Sequence, residues 1–246
     1  MRICVAGEGI FDVGWDRDRD RPEGPEYAGD VPLILARLIR EHLGRDRRFA
    51  CLRWTKDDLP RVHPSTAEGW PRPPAEARAR ELQAALWAAS REEGIDALVF
   101  VRDSRLEDHD LRLRKCREVL RACDSRGSPI AVVLGLAVQE IEAWLLADPQ
   151  ARAAAFGDAG RNGQYPAPEE LPDPKSCWRT LLGESAPGSP ASTRDADCRT
   201  RAIEAMRPRV VSELCSRGFE PFQKQVAERI VPRLRPERVK PKDGGA

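Results

Sequence analysis

The stretch Ala97-Leu98-Val99-Phe100-Val101-Arg102-Asp103 runs five apolar residues in succession and then ends on an aspartate. A short apolar run of this kind, rich in β-branched residues, reads as a buried strand. Outward from it lie three more such runs, Ile3 to Ala6, Phe49 to Trp54 and Ile130 to Leu136. Helical periodicity fills the intervals. Val31 to Leu43 places Val31, Leu35, Leu38, Ile39 and Leu43 on one face; Pro74 to Glu93 does so with Leu82, Leu86 and Trp87, and Leu111 to Ala122 with Leu113, Val119 and Leu120. Strands alternating with helices of this length predict an α/β fold, a mainly parallel four-stranded sheet flanked by helices. In such sheets ligands gather beyond the carboxyl ends of the strands.

From Val138 onward the chain turns helical. Gln139 to Phe156 carries Ile141, Trp144, Leu145 and Leu146 as an apolar stripe, with Trp144 read as core rather than as a stacking platform. Gly- and Pro-rich stretches at Gly157 to Pro174 and Glu184 to Thr193 read as loops. Lys175 to Leu182, Asp195 to Ser216 and Phe219 to Leu234 read as helices broken by Pro208 and Gly218. The expected organisation is an α/β domain over 1–150, a helical C-terminal extension over 151–234, and a basic flexible tail over 235–246. There is no internal repeat.

The chain has 246 residues and a formal net charge of +1, so no global field draws it to a polyanion. Most of its cations are Arg and Ala is abundant, which follows from genome composition as readily as from phosphate binding. Seven cysteines, an odd number without a CxxC pair or a zinc-site spacing with histidine, fit reduced thiols in a cytoplasmic protein. The opening residues start a strand rather than a signal peptide, and no apolar run approaches the ~18 residues of a membrane span. No membrane partner is expected.

Acidic residues follow three of the strands. Glu8 stands between Gly7 and Gly9 just past the first, with Asp12 four residues on; Asp103 closes the third; Glu140 and Glu142 follow the fourth. They can converge only if these strands lie side by side and run in one direction. Each has a plain structural alternative, since carboxylates cap helices and suit a first helical turn. Asp108 and Asp110 are well placed to cap the helix beginning near Leu111, but Asp103 lies too far upstream to do so. His109, with no second histidine nearby, reads as a loop residue. Glu140 and Glu142 point roughly 200° apart on a regular helix, so one faces a site and the other packs; Glu142 is the expected ligand. Hard oxygen donors without Cys or His favour Mg²⁺ or Mn²⁺ and phosphodiester chemistry. Arg102 and Arg105 are the candidate phosphate-binding residues.

The segments Gly7-Glu8-Gly9-x-x-Asp12, the strand ending in Asp103, and Val138-Gln139-Glu140-Ile141-Glu142-Ala143-Trp144-Leu145-Leu146-Ala147-Asp148 together resemble the TOPRIM-like family catalogued as domain of unknown function 4276. Glu170 to Lys175 and Cys215 to Phe222 are similar to that family's closing elements. The resemblance implies a TOPRIM fold, with Glu8 as general acid or base or metal ligand. It also implies an Asp-x-Asp motif on a later strand that holds Mg²⁺. Only the first aspartate is matched, by Asp103; Arg105 occupies the second position, and Asp108, Asp110, Glu140 or Glu142 would have to compensate. Members of such families stand beside ATPases in antiphage defence, so a partner ATPase and an antiphage or DNA-repair role are implied at the same level.

The leading expectation is therefore a Mg²⁺-dependent TOPRIM-like nuclease acting on nucleic acid. Glu8, Asp12, Asp103 and Glu142 surround the metal, and Glu8 and Asp103 are the catalytic pair. A rival is a degenerate module that binds nucleic acid or a partner ATPase, with Trp15 and Trp70 as interface candidates. A phosphate-acceptor receiver domain ranks last, because the expected strand-end Lys near the fourth strand is missing. Substrate strandedness and oligomeric state, a homodimer included, stay open.

Overall fold

The computed structural model describes residues 1–8, 12, 28–47, 49–55, 58–59, 74–125, 127–183 and 193–235. Four strands, β1 (Arg2–Ala6), β2 (Ala50–Trp54), β3 (Ala97–Ser104) and β4 (Ala131–Val138), form one all-parallel sheet in the order β2-β1-β3-β4. Between them run α1 (Asp30–Leu43), α2 (Pro74–Arg91) and α3 (His109–Asp124). The predicted α/β architecture is thus present. The order reverses at β1, whose neighbours are β2 and β3, so the carboxyl ends of β1 and β3 frame the crevice where such sheets bind ligands.

Successive residues of a strand face opposite sides of the sheet, and the two apolar clusters divide accordingly. Cys4, Ala6, Leu98, Phe100, Val132 and Leu134 pack against α2 and α3. Ile3, Val5, Val99, Val101 and Val133 pack against α1 and against helices that follow β4. Those helices are α4 (Glu142–Ala147), α5 (Pro149–Phe156), α6 (Asp158–Asn162), α7 (Pro174–Leu182), α8 (Thr193–Ala205), α9 (Pro208–Leu214), α10 (Phe219–Gln225) and α11 (Val231–Leu234), with a π-turn at Val226–Ile230 before the last. They share one continuous core with the sheet. The expected C-terminal helices are present and form the second covering layer of the sheet.

Three expectations change locally. The single helix over Gln139 to Phe156 is two, because Pro149 disfavours helical backbone at the residue before it, and Asp148 is extended (φ −89°, ψ 116°) while its side chain caps α5 through the Gln150 amide at 2.9 Å. The first loop region contains α6 and a 3₁₀ turn at Pro168–Glu170. His109 is not a loop residue but the buried first residue of α3, where burial lowers its pKa. Trp144 is core as expected, fully buried and stacked on Phe222 with ring centroids 5.5 Å apart. That stack lies against Gly135 of β4, where a Cβ would come within 3.1 Å of Phe222 and 3.0 Å of Val101.

None of the seven cysteines is in a disulfide, and burial pushes the Cys116 thiol up to about 12. Cys51 is half-buried rather than buried. Among the described residues no helix is long and apolar enough to cross a membrane. Gly9, Trp15, Trp70, the loop at 184–192 and the tail at 236–246 lie outside the described residues.

β4 is an edge strand whose free backbone is covered by α10. The Gln225 amide accepts from the Leu134 N–H at 3.1 Å and donates to the Leu134 carbonyl at 3.0 Å, as a neighbouring strand would. Gln225→Ala is expected to lower stability by about 1–3 kcal/mol, because it strands both backbone groups of a buried residue. A urea midpoint equal to that of the parent would contradict this.

Candidate functional site

Parallel pairing of β1, β3 and β4 brings the acidic strand ends together. Asp103 records the convergence. Burial first, and then the charges of Asp12, Glu142, Glu8 and Glu140, push its carboxyl pKa well above the ordinary carboxylate range. Residues separated by more than a hundred positions thus act on one side chain. Beside Asp103 opens a cleft of roughly 440 Å³, lined by Arg78, Ser104, Arg105, Asp108, Arg112, Gln139 and Glu140.

β1 leaves the sheet at Gly7, whose N–H extends the ladder to the Trp54 carbonyl at 2.9 Å. The next amide, that of Glu8, donates to Asp12 Oδ2 at 2.6 Å, so Asp12 braces the turn that presents Glu8. Glu8 Oε2 meets Arg78 Nη2 at 3.1 Å, and Arg78 Nη1 lies 3.0 Å from both oxygens of Glu81. Asp103 adds its charge to this guanidinium.

At the exit of β4, Gln139 adopts φ +62°, the sole positive φ of a non-glycine among the described residues. Its N–H is bound to the Ser104 carbonyl at 2.7 Å, and the Glu140 N–H closes back on the Val138 carbonyl at 2.9 Å. This tight, strained turn delays α4 until Glu142 and so separates the roles of the two glutamates. Glu140 lines the cleft, its Oε2 accepting the Lys175 N–H at 2.8 Å. Burial, and next the Glu142 charge, raises its pKa.

Glu142 is buried and its Oε1 accepts from Arg199 Nη2 at 2.5 Å. Arg199, 1% exposed, also reaches Asp30 at 2.5 Å and Asp195 at 2.9 Å, and the Trp178 indole donates to Asp195 at 2.8 Å. Burial disfavours the Glu142 anion, but the charge and hydrogen bond of Arg199 overcome it and hold the pKa below the ordinary value. The expectation that Glu142 faces the site is corrected: an ion pair ties it into the core, and Glu140 takes the cleft.

Arg102 is corrected as well. It is 0% exposed, its Nε donates to Glu81 Oε2 at 2.8 Å and its Nη1 to the Val101 carbonyl at 3.1 Å, so it does not reach a phosphate in the cleft. β3 runs on to Ser104, and strand alternation places Arg102 with Leu98 and Phe100 on the side of α2. Arg105 stands exposed at the rim of the cleft. Asp108 lines the cleft and pairs with Arg112 at 3.0 Å, whereas Asp110 is exposed on the first turn of α3 and does not line it.

Arg78, Glu81, Ser104 and Arg112 are site residues that sequence reasoning missed. Arg78 and Glu81 stand three apart on a predicted helix, the one visible signal. Ser104 Oγ is fully buried and Arg112 Nε nearly so, and neither has a hydrogen-bond partner although both residues line the cleft. Buried polar atoms left in this state point to a group that belongs beside them.

The stretch Glu142 to Asp148 works here as a clamp on the C-terminal layer. Glu142 holds Arg199 of α8, Trp144 stacks in the core, and Asp148, fully buried, accepts the Arg207 N–H at 2.7 Å and its guanidinium at 2.6 Å. Among the described residues no three His, Cys, Asp or Glu side chains are arranged to share a metal ion. Comparison with models of known protein families, with curated proteins and with solved structures finds no match to this chain.

Proposed function

We propose that the protein is a divalent-metal-dependent, TOPRIM-like nuclease that hydrolyses phosphodiester bonds in nucleic acid. The observation that carries this reading is Asp103, on whose carboxyl four like charges act from two other chain segments, the turn after β1 and the turn after β4. Such crowding costs stability unless a cation joins it. The donors are hard carboxylate oxygens, a set that suits Mg²⁺ or Mn²⁺.

Glu8 and Asp103 would hold the ion, with Glu140 and Asp12 in reach. When bound, such an ion polarises a phosphoryl oxygen and lowers the pKa of a water. The chain itself supplies the rest. Arg105 and Arg112 line the same cleft and can orient a phosphate by charge-assisted hydrogen bonds. Glu8, joined to β1 through a braced turn, is placed to hold or release a proton at a carboxylate oxygen.

A second reading has its own support. Arg78 neutralises Glu8, Arg199 neutralises Glu142, and Arg105 stands where the family pattern has a ligand, an arrangement that suits a module binding nucleic acid without cutting it. Incubation of the purified protein with plasmid and with RNA in Mg²⁺ or Mn²⁺, beside Glu8→Gln, separates the two. The nuclease reading expects cleavage in the parent and a loss of at least ~100-fold in the variant. Intact substrate together with retained binding supports the module.

A further inference from the structure

The cation now seated against the acidic strand ends is the guanidinium of Arg78. Its Nη2 is 3.1 Å from Glu8 Oε2 and its Nη1 3.0 Å from Glu81, and the same group lines the cleft beside Asp103. We infer that Arg78 and a divalent cation occupy this cup in exchange, so that metal entry displaces Arg78 from Glu8 and turns it into the cleft. This rests on the metal-dependent reading above and adds the device that governs it.

Three features make the exchange physically cheap. Glu81 has a second cation, Arg102, whose Nε holds Oε2 at 2.8 Å from the buried side, so departure of Arg78 leaves Glu81 compensated. Glu8 in turn gains the incoming ion. Arg78 is 19% exposed on a long flexible stem, and its release moves a charge toward solvent rather than into the core. The cleft that would receive it contains a buried oxygen without a partner, Ser104 Oγ, which can accept from a guanidinium, an observation independent of the carboxylates.

Free Mn²⁺, followed by its electron paramagnetic resonance signal, is titrated into the parent, Arg78→Gln and Arg78→Lys without nucleic acid. Removing a competing unit charge next to a doubly charged ion is expected to tighten Mn²⁺ binding by at least ~10-fold in Arg78→Gln, whereas Arg78→Lys, which keeps the charge, stays nearer the parent. Circular dichroism confirms that each variant is folded; should the glutamine variant unfold, the lysine variant still serves, since loss of the bidentate hold on Glu81 is expected to tighten binding to a smaller degree. Equal or weaker binding in the folded variants overturns the inference, because a purely structural Arg78 would loosen the cup when removed. Absence of Mn²⁺ binding in every variant overturns both this and the nuclease reading. A protein that exchanges cations but cuts no nucleic acid loses the nuclease reading alone.

Discussion

Arg199→Leu is expected to cost about 3–5 kcal/mol of folding stability, against a total of only about 5–15 kcal/mol for a typical domain. Arg199 is the shared counter-ion of Asp30 on α1, Glu142 on α4 and Asp195 on its own helix, all three buried. Leucine approximates the volume of the stem but takes from three buried carboxylates the cation they share, and in a low-dielectric interior removing one side of an ion pair is far more costly than replacing the whole pair. The damage spreads beyond one contact because the cluster joins α1, α4, α7 and α8, and so fastens the C-terminal layer to the sheet. Urea unfolding followed by circular dichroism measures the loss as a lower midpoint with an unchanged slope.

The deficit should shrink in acid. Arg199 holds the Glu142 pKa below its ordinary value, so that pair stabilises the parent above the unfolded pKa of about 4.3 and ceases to do so as pH falls through the depressed folded value. Parent and variant therefore converge at low pH. A deficit that stays constant down to acid unfolding would mean that packing, not charge, is what Arg199 supplies. As a contrast, Arg209→Ala removes an exposed pair with Glu213 and is expected to change stability by no more than about 0.5 kcal/mol.

Asp103→Asn should act in opposite directions with and without metal. In chelator the variant is expected to be more stable than the parent, since it deletes the one carboxylate that burial and four neighbouring charges hold above its ordinary pKa. For a carboxyl whose folded pKa is raised, the native state retains its proton longer than the unfolded chain, and stability is lost as pH rises from the unfolded value through the folded one. The stability difference between variant and parent therefore grows across that window. On the proposed metal-dependent reading, the order is expected to reverse with Mn²⁺ in excess. A site occupied at 100 times its dissociation constant stabilises the parent by about 2.7 kcal/mol, and the variant, lacking the central ligand, should gain little of this and lose at least ~100-fold in cleavage. Thermal unfolding in chelator and in Mn²⁺ reads both effects. A variant less stable than the parent in chelator would show that Asp103 holds the strand ends together by hydrogen bonding rather than crowding them.

The strands and the helices between them were legible because their signals are local. Apolar runs and helical stripes place β1 to β4 and α1 to α3 within a few residues of their observed bounds. Convergence of Glu8, Asp103 and the acidic pair after β4 was legible too, as it follows from parallel strands alone. Arg102 was misassigned although the signal was present: alternation carried two residues past Phe100 puts it on the side of α2. Glu142 was misassigned for another reason. Choosing between it and Glu140 depends on the positive φ at Gln139, which a glutamine does not announce.

The ion-pair partners were not legible at all. Arg78 lies 70 positions from Glu8 in the chain, and Arg199 lies 57 from Glu142 and 169 from Asp30, so no local pattern joins them. By itself, the amino-acid sequence determined the layers of the fold, the common direction of its strands and the gathering of acidic side chains at one end of the sheet, because periodicity and strand-end position are properties of neighbours along the chain. Only the tertiary structure decided which of those carboxylates is already neutralised, by Arg78 at the cleft and Arg199 in the core, since Coulomb attraction and burial depend on distance through space.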